Sequence, residues 1–452
     1  MPDIVWSNKT IRVKLDADNI LLFSTITGAV DIINSKVMSN VDSGTAPDDI
    51  YSRLKSRGHC FHSYEEMRNV ESKIHEIVNK SEQLQTYRFV IIPNYSCNFA
   101  CDYCYETNAT MSKNKVASRD LDKIFSAINL IFSRDERPGS IITLMGGEPL
   151  LSSNQEIIKE ICLFTSEKDF KIEFITNGAT LIDYVSLLAR FRNKITGIQV
   201  TLDGPEYVHN QRRPFKNRNP SFATIINGIK SCLQSGLRIS LRINLDSRNI
   251  GYVPELLNFL TSQQWYDRKL IRSYLYPMSD GGCLGSKFIE KEHQFLIKLL
   301  AETDWQYLKH FGFQFHGVSK FMNALNSRYK PCLRYCDAER SQYVFDPFGY
   351  IYKCWFGIRS PSDFAIGKYK PKFFLDGARE SLWVSRTSLN MEKCKDCIYC
   401  YICGGGCAEK AWEECRQIDT SRCPDYENLI PYIVNHLWTN KALKFFKNNY
   451  DS

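Results

Sequence analysis

Seventeen cysteines stand in this chain, and eleven of them fall in spaced groups. Cys97, Cys101 and Cys104 share the stretch Asn94–Thr107, spaced C-x3-C-x2-C, with Tyr103 just before the last. A structural zinc site wants four protein ligands and commonly finds them in C-x2-C pairs. Three thiolates in one tight loop suit a 4Fe–4S cluster instead, with one iron left open to a non-protein ligand. Further along come Cys332, Cys336 and Cys354, then Cys394, Cys397, Cys403 and Cys407, and finally Cys423. The opening residues, Met1 to Thr10, lack a basic segment leading into an apolar one, so a cytoplasmic protein is expected. In that compartment many cysteines point to metal ligation, not disulfides. The other six, Cys60, Cys162, Cys232, Cys283, Cys400 and Cys415, follow no pattern and read as buried small hydrophobes or inert thiols.

Other residues carry binding chemistry. Met145-Gly146-Gly147-Glu148-Pro149 offers two glycines that let a backbone approach a ligand closely, beside a carboxylate able to take a cationic amine. Thr176-Asn177-Gly178 is a turn sequence that serves equally as a plain strand exit. Thr201-Leu202-Asp203-Gly204-Pro205 is followed by His209-Asn210-Gln211-Arg212-Arg213. Arg242 and Asn244 share one face of a strand by its period of two, and Arg242 is a candidate bidentate donor to a carboxylate.

These groups need elements to position them. From Tyr87 a βα rhythm sets in, with strands expected at Phe89–Pro93, Ile141–Met145, Ile172–Thr176, Ile198–Leu202, Ser240–Leu245 and Leu270–Leu275. Helices are expected between them, at Leu121–Phe132, Gln155–Thr165, Leu181–Phe191, Phe222–Ser235 and Val253–Gln264. Six parallel strands with right-handed crossovers make an α/β partial (β/α)6 TIM-like barrel, whose ligands sit at the C-terminal strand ends. The cysteine loop and each motif above follow such an end. Residues 1–85 read as a small N-terminal α+β domain, with strands at Ile11–Leu15 and within Ile20–Ile33 and helices at Ala46–Lys55 and Ser63–Lys80. It serves either as a cap on the barrel or as a peptide-docking module with an open sheet edge. The barrel spans 86–285, a helical connector 286–330, a cysteine-rich domain 331–425 with a hairpin turning at Pro347-Phe348-Gly349, and a C-terminal helix 426–452, with its apolar face in Leu429–Tyr450.

Together the motifs resemble the radical S-adenosylmethionine enzymes with a C-terminal SPASM domain, over about Arg88 to Cys423. The resemblance implies S-adenosylmethionine on the open iron of a first 4Fe–4S cluster held by Cys97, Cys101 and Cys104. It places Tyr103 against the adenine, Gly146, Gly147 and Glu148 at the methionine amine, and Thr176 and Asn177 near the ribose and carboxylate. Thr201 would bond the cofactor; Arg242 would hold its carboxylate or make a structural ion pair; His209 would be structural or face substrate. Two auxiliary 4Fe–4S clusters follow, the nearer on Cys332, Cys336, Cys354 and Cys407, the outer on Cys394, Cys397, Cys403 and Cys423. An external low-potential donor of flavodoxin or ferredoxin type is implied. So is a precursor peptide substrate, oxidised after hydrogen abstraction by a 5′-deoxyadenosyl radical. The expected enzyme is a maturase of ribosomally made peptides that forms an intramolecular C–C (cyclophane) or thioether cross-link. The anaerobic sulfatase maturases form formylglycine with an aspartate after the cysteine matching Cys354; here that residue is Trp355, which accepts no proton. No catalytic residue is named by the motifs. A reading of another class is a non-catalytic zinc-ribbon adaptor.

Composition bounds the partners. The chain of 452 residues exceeds one ordinary core and calls for several domains. The formal charge of +8 treats every cysteine as neutral, and thiolates on three clusters would draw it toward zero. Basic residues are scattered, so nucleic acid is not expected, and no apolar run is long enough for a membrane span.

Overall fold

The N-terminal residues build a small sheet from short alternating runs. In the computed structural model, which describes residues 4–106, 115–265, 270–278, 292–303, 311–313 and 316–443, β1 (Val5–Trp6) pairs with β5 (Cys60–Phe61). Between them, β2 (Thr10–Lys14), β3 (Asn19–Ser24) and β4 (Val30–Asn34) form an antiparallel meander. An unexpected helix, α1 (Ser35–Asp42), begins where the Asn34 side chain accepts from the Lys36 N–H. Then come α2 (Asp48–Ser56) and α3 (Tyr64–Gln83), the latter capped by Ser63 accepting from the Glu66 N–H.

Beyond Tyr87 the expected rhythm appears: β6 (Arg88–Ile91), α4 (Ser118–Phe132), β7 (Ile141–Leu144), α5 (Gln155–Glu167), β8 (Lys171–Thr176) and α6 (Leu181–Arg190). It continues with β9 (Ile195–Thr201), α7 (Glu206–Arg212), α8 (Phe222–Gln234), β10 (Ile239–Leu245), α9 (Val253–Ser262) and β11 (Ile271–Pro277). All six strands run parallel, and β6 buries Phe89, Val90 and Ile91 completely, as a strand covered on both faces must. The described part of the connector is not wholly helical. It holds α10 (Glu292–Glu302) and α11 (His316–Leu325), but also β12 (Gly312–Phe313), which lengthens the sheet beside β11.

At the other edge, β13 (Gln342–Phe345) pairs parallel with β6, and β14 (Tyr350–Tyr352), β15 (Ala365–Lys368) and β16 (Phe374–Leu375) follow antiparallel. The cysteine-rich hairpin therefore continues the barrel sheet, which runs to 11 strands. The chain closes with α12 (Tyr426–Thr439), which packs on α10 and β2. Cys283 and the tail after Leu443 lie outside the described residues.

The N-terminal unit rests on the cysteine-rich segment and the C-terminal helices. Phe23 meets Phe321 of α11 edge-on at 5.2 Å. Glu82 of α3 accepts from the Leu333 N–H at 3.1 Å and pairs with Arg334 at 3.1 Å and Arg340 at 2.9 Å. No helix among the described residues is long and apolar enough to cross a membrane.

Candidate active site

The cysteine loop leaves the C-terminal end of β6 and is clasped from the opposite side by the chain after α7. Ala100 N–H donates to Pro214 O at 2.9 Å, Lys216 N–H to Asn98 O at 2.9 Å, and Phe99 meets Phe215 edge-on at 5.0 Å. Cys97, Cys101 and Cys104 are half-buried on this loop. Burial pushes the Cys97 thiol up to about 12, with Glu148 and Cys101 adding to it. Burial does the same at Cys104, also to about 12, helped by Glu106 and Cys101. Three thiols that feel one another's charge, with the Phe99 N–H 3.4 Å and Asn177 Nδ2 3.7 Å from Cys97 Sγ, suit a cationic iron–sulfur core.

The glycine pair presses the next strand end onto this loop. Gly147 has φ +41°, and a Cβ there would lie 2.3 Å from Ser96 O. At Gly146 a Cβ would lie 2.4 Å from an Ile92 methyl. The space a side chain would need is thus filled by protein at both positions, so these glycines serve loop–loop packing, a role the motif did not reveal. Glu148 N–H donates to Ser96 O at 2.8 Å, and its carboxylate is fully buried. That carboxylate accepts from Thr176 Oγ1 at 2.6 Å, Asn177 N–H at 2.6 Å and Leu150 N–H at 2.9 Å. Burial raises its pKa, and these bonds oppose the rise. A carboxylate offers about four acceptor sites, so one remains for a further donor such as an amine. Asn177 also donates to Asn98 Oδ1 at 2.7 Å. Cysteine loop, Gly146–Glu148 and Thr176–Asn177 therefore meet at one buried carboxylate.

On the other side Tyr103 enters a buried polar cluster. Its hydroxyl pairs with Asp203 and receives Arg213 Nη1 and, at 3.3 Å, Asn244 Nδ2. The guanidinium groups of Arg212 and Arg213 stand 5.2 and 5.7 Å from its ring centroid. Arg212 also pairs with Asp246 at 3.0 Å, and Arg248 joins Asp246 to Asp102 of the cysteine loop. His209 is fully buried and held neutral by that burial; its Nδ1 accepts from the Asp203 N–H at 3.3 Å. Its Nε2 is buried without a hydrogen-bond partner among the described residues. Thr201 is buried at the end of β9 beside Arg242 of β10. Arg242 stacks 3.7 Å over Tyr276 and donates to Asn244 Oδ1 at 2.8 Å, with no ion pair among the described residues. Sequence reasoning missed Glu106, whose buried carboxylate receives the Gly147 N–H, and the acid–base pair Asp246–Arg248. The only sequence signals were a carboxylate two residues past Cys104 and one directly after a strand end.

Several thiols of the cysteine-rich loops feel one another's charge. Burial raises Cys336 and Cys354 well above the usual thiol range, and Cys407 adds to both. Burial also raises Cys394, with Cys423 and Cys397 next, and raises Cys403. Cys332 is buried. Its thiol donates to Tyr401 O at 3.3 Å, and it is the first cysteine felt by Cys403. Among the described residues no three His, Cys, Asp or Glu side chains draw together as ligands of one ion would. Thiolates on one zinc stand about 4 Å apart, whereas those of a 4Fe–4S cluster each hold their own iron on a larger core. Arg386, also missed, is fully buried and ties Glu339 to the carbonyls of Gly405 (3.2 Å), Gly406 (2.7 Å), Ile418 (2.6 Å) and Thr420 (2.8 Å). The two regions touch: Tyr105 packs 4.7 Å from Phe356, and Asp346 accepts from Tyr95 at 3.2 Å and Tyr352 at 3.0 Å. Cys60, Cys162, Cys232 and Cys400 are buried, and Cys415 is exposed.

Residues 91–260 match the radical SAM superfamily and form a radical SAM domain. Among curated proteins, the chain is 23% identical over 196 residues to the Fe-coproporphyrin III synthase of Methanosarcina barkeri, covering 43% of this chain and 45% of that one. It is 28% identical over 170 residues to the serine-type anaerobic sulfatase-maturating enzyme of Bacteroides thetaiotaomicron, covering 36% and 40%. These matches span less than half the length of either relative. Among solved structures, anSMEcpe with bound AdoMet shares the fold at TM-score 0.59 and 16% identity, over 81% of this chain and 97% of that one. Streptococcus suis SuiB bound to its precursor peptide SuiA does so at TM-score 0.54 and 14% identity, over 93% and 99%.

Proposed function

We propose that this chain is a radical SAM/SPASM maturase that oxidatively modifies a ribosomally made peptide, joining two of its residues by a C–C or thioether bond. The observation that carries the reading is the parallel pairing of β13 with β6, which joins the hairpin between Cys336 and Cys354 to the strand that leads into the Cys97–Cys104 loop. A hydrogen-abstraction site joined through one sheet to a cysteine-rich segment fits a reaction that must remove both a hydrogen atom and a further electron from its substrate. When bound, S-adenosylmethionine on a 4Fe–4S cluster supplies the hydrogen-abstracting radical, and an external low-potential donor supplies its electron. Cys97, Cys101 and Cys104 would hold that cluster. Glu148 has an acceptor site left for the cofactor amine, and Arg242, free of carboxylates among the described residues, is a donor for its carboxylate. The clasp of residues 213–216 covers one side of the loop. Two auxiliary clusters on the remaining eight cysteines complete the reading, and the peptide-bound SuiB neighbour favours a peptide substrate.

A second reading, formylglycine formation, draws support from the sulfatase-maturating relative. Trp355 opposes it, since it stands where that chemistry places a base. Mass spectrometry of the peptide co-expressed with this protein separates the two. Loss of two hydrogens with a new inter-residue linkage supports cross-linking, whereas an aldehyde supports formylglycine. The purified protein should be brown, with about twelve irons. The triple variant Cys97→Ala, Cys101→Ala, Cys104→Ala should release no 5′-deoxyadenosine; release at the wild-type rate would refute the reading.

A further inference from the structure

Lys9 is a buried lysine, 2% exposed, at the start of the N-terminal sheet. Its Nζ donates to Lys395 O and Cys397 O, each at 3.1 Å. Both carbonyls belong to the Cys394–Cys397 loop, some 390 residues away in sequence. Thr25, whose N–H donates to Lys9 O at 2.8 Å, donates its hydroxyl to Ile398 O at 2.9 Å. The same unit therefore holds the loop at three carbonyls, those of Lys395, Cys397 and Ile398. Lys9 makes no ion pair among the described residues; its charge is felt by the Glu71 carboxyl, whose buried Oε1 lacks a hydrogen-bond partner, and by Cys400, three residues beyond Cys397. A buried ammonium with only carbonyl partners is costly unless an anion lies close. A cluster held by four thiolates is net negative and gains a further electron on reduction.

We propose that Lys9 is the counter-charge of the outer thiol group, so that the N-terminal unit supplies part of the site built by Cys394, Cys397, Cys403 and Cys423. The inference rests on the auxiliary-cluster reading above. Lys9 is a positioning residue: it holds the loop by its carbonyls and favours the reduced form of whatever that loop binds.

The test uses the full-length, iron-loaded protein and compares Lys9→Met and Lys9→Arg with Lys395→Met, an exposed lysine of the same loop. Redox titration followed by electron paramagnetic resonance, and iron counting, are read separately. In Lys9→Met one auxiliary signal should show a reduced-to-oxidised ratio lower by about tenfold at fixed potential, a size set by one buried charge. Failing that, about a third of the iron should be lost, as for one cluster of three. Lys9→Arg should restore both, and Lys395→Met should change neither. Full iron with unshifted signals in Lys9→Met overturns the inference. If Cys394→Ala and Cys423→Ala leave the iron count unchanged, the cluster reading itself is wrong, and the inference with it. Should Lys9→Met not fold, hydrogen exchange of the wild type decides. Stripping the iron should speed exchange at Lys9–Ile11 and Thr25, and equal exchange overturns the proposal.

Discussion

Glu148 answers three donors at once, so its removal leaves the Thr176 hydroxyl and the amides of Asn177 and Leu150 unpaired in a dry site. Each unsatisfied buried donor costs about 1–3 kcal/mol. Glu148→Ala should lower the unfolding temperature by several degrees, and Glu148→Gln, which keeps one acceptor oxygen, by about half as much; thermal unfolding measures both. At Asp346, burial raises the carboxyl from its usual range to about 6, against the bonds from Tyr350 N–H, Tyr352 and Tyr95. The folded chain therefore holds a proton there that the unfolded chain has released, and stability is lost as pH rises from about 4 through about 6. Asp346→Asn should remove that component, so the stability difference between variant and wild type should grow in the variant's favour as pH rises across this window. Denaturant titrations at several pH values read it directly.

At the scale of elements, the register of loops depends on close backbone approach. Gly147→Ala places a methyl 2.3 Å from a backbone oxygen that no rotamer change can move. The variant should lose iron from the first cluster and drop in stability by about 1–3 kcal/mol, while Gly251→Ala, with open space and no positive φ, should be near neutral. Iron analysis with thermal unfolding tells them apart. Apart from the short α7, the strands and helices of the barrel from β6 through β11 were legible in the sequence, because apolar periodicity and turn residues act locally. Helix α1 was not: it directly follows a strand and starts on a single asparagine cap. Nor was β12, whose two residues are too few for any pattern and whose existence depends on β11 beside it.

For the whole molecule, the N-terminal unit is joined to the cysteine-rich segment through Glu82, which is buried between Arg334 and Arg340. Removing one partner of a buried charge cluster costs about 3–5 kcal/mol, because the remaining charges stay desolvated. Glu82→Ala should lower overall stability by that amount and expose α3 to proteolysis near Gln83, with the cut absent from the wild type. One unbroken sheet from β12 to β16 also means that the barrel and the cysteine-rich hairpin should unfold together. A single calorimetric transition for the two would bear this out.

The sequence by itself determined which atoms carry the chemistry. Thiols spaced by two or three residues can share one loop wherever the chain goes, and a glycine pair, a carboxylate and turn residues announce strand ends without reference to partners. What they touch was decided only by the tertiary structure. Glu148 meets Thr176 across 28 residues, Tyr103 meets Asp203 across 100, and Lys9 reaches the Cys397 loop across 388. Such pairings carry no local signal, because burial and charge complementarity act only once distant segments have been packed together.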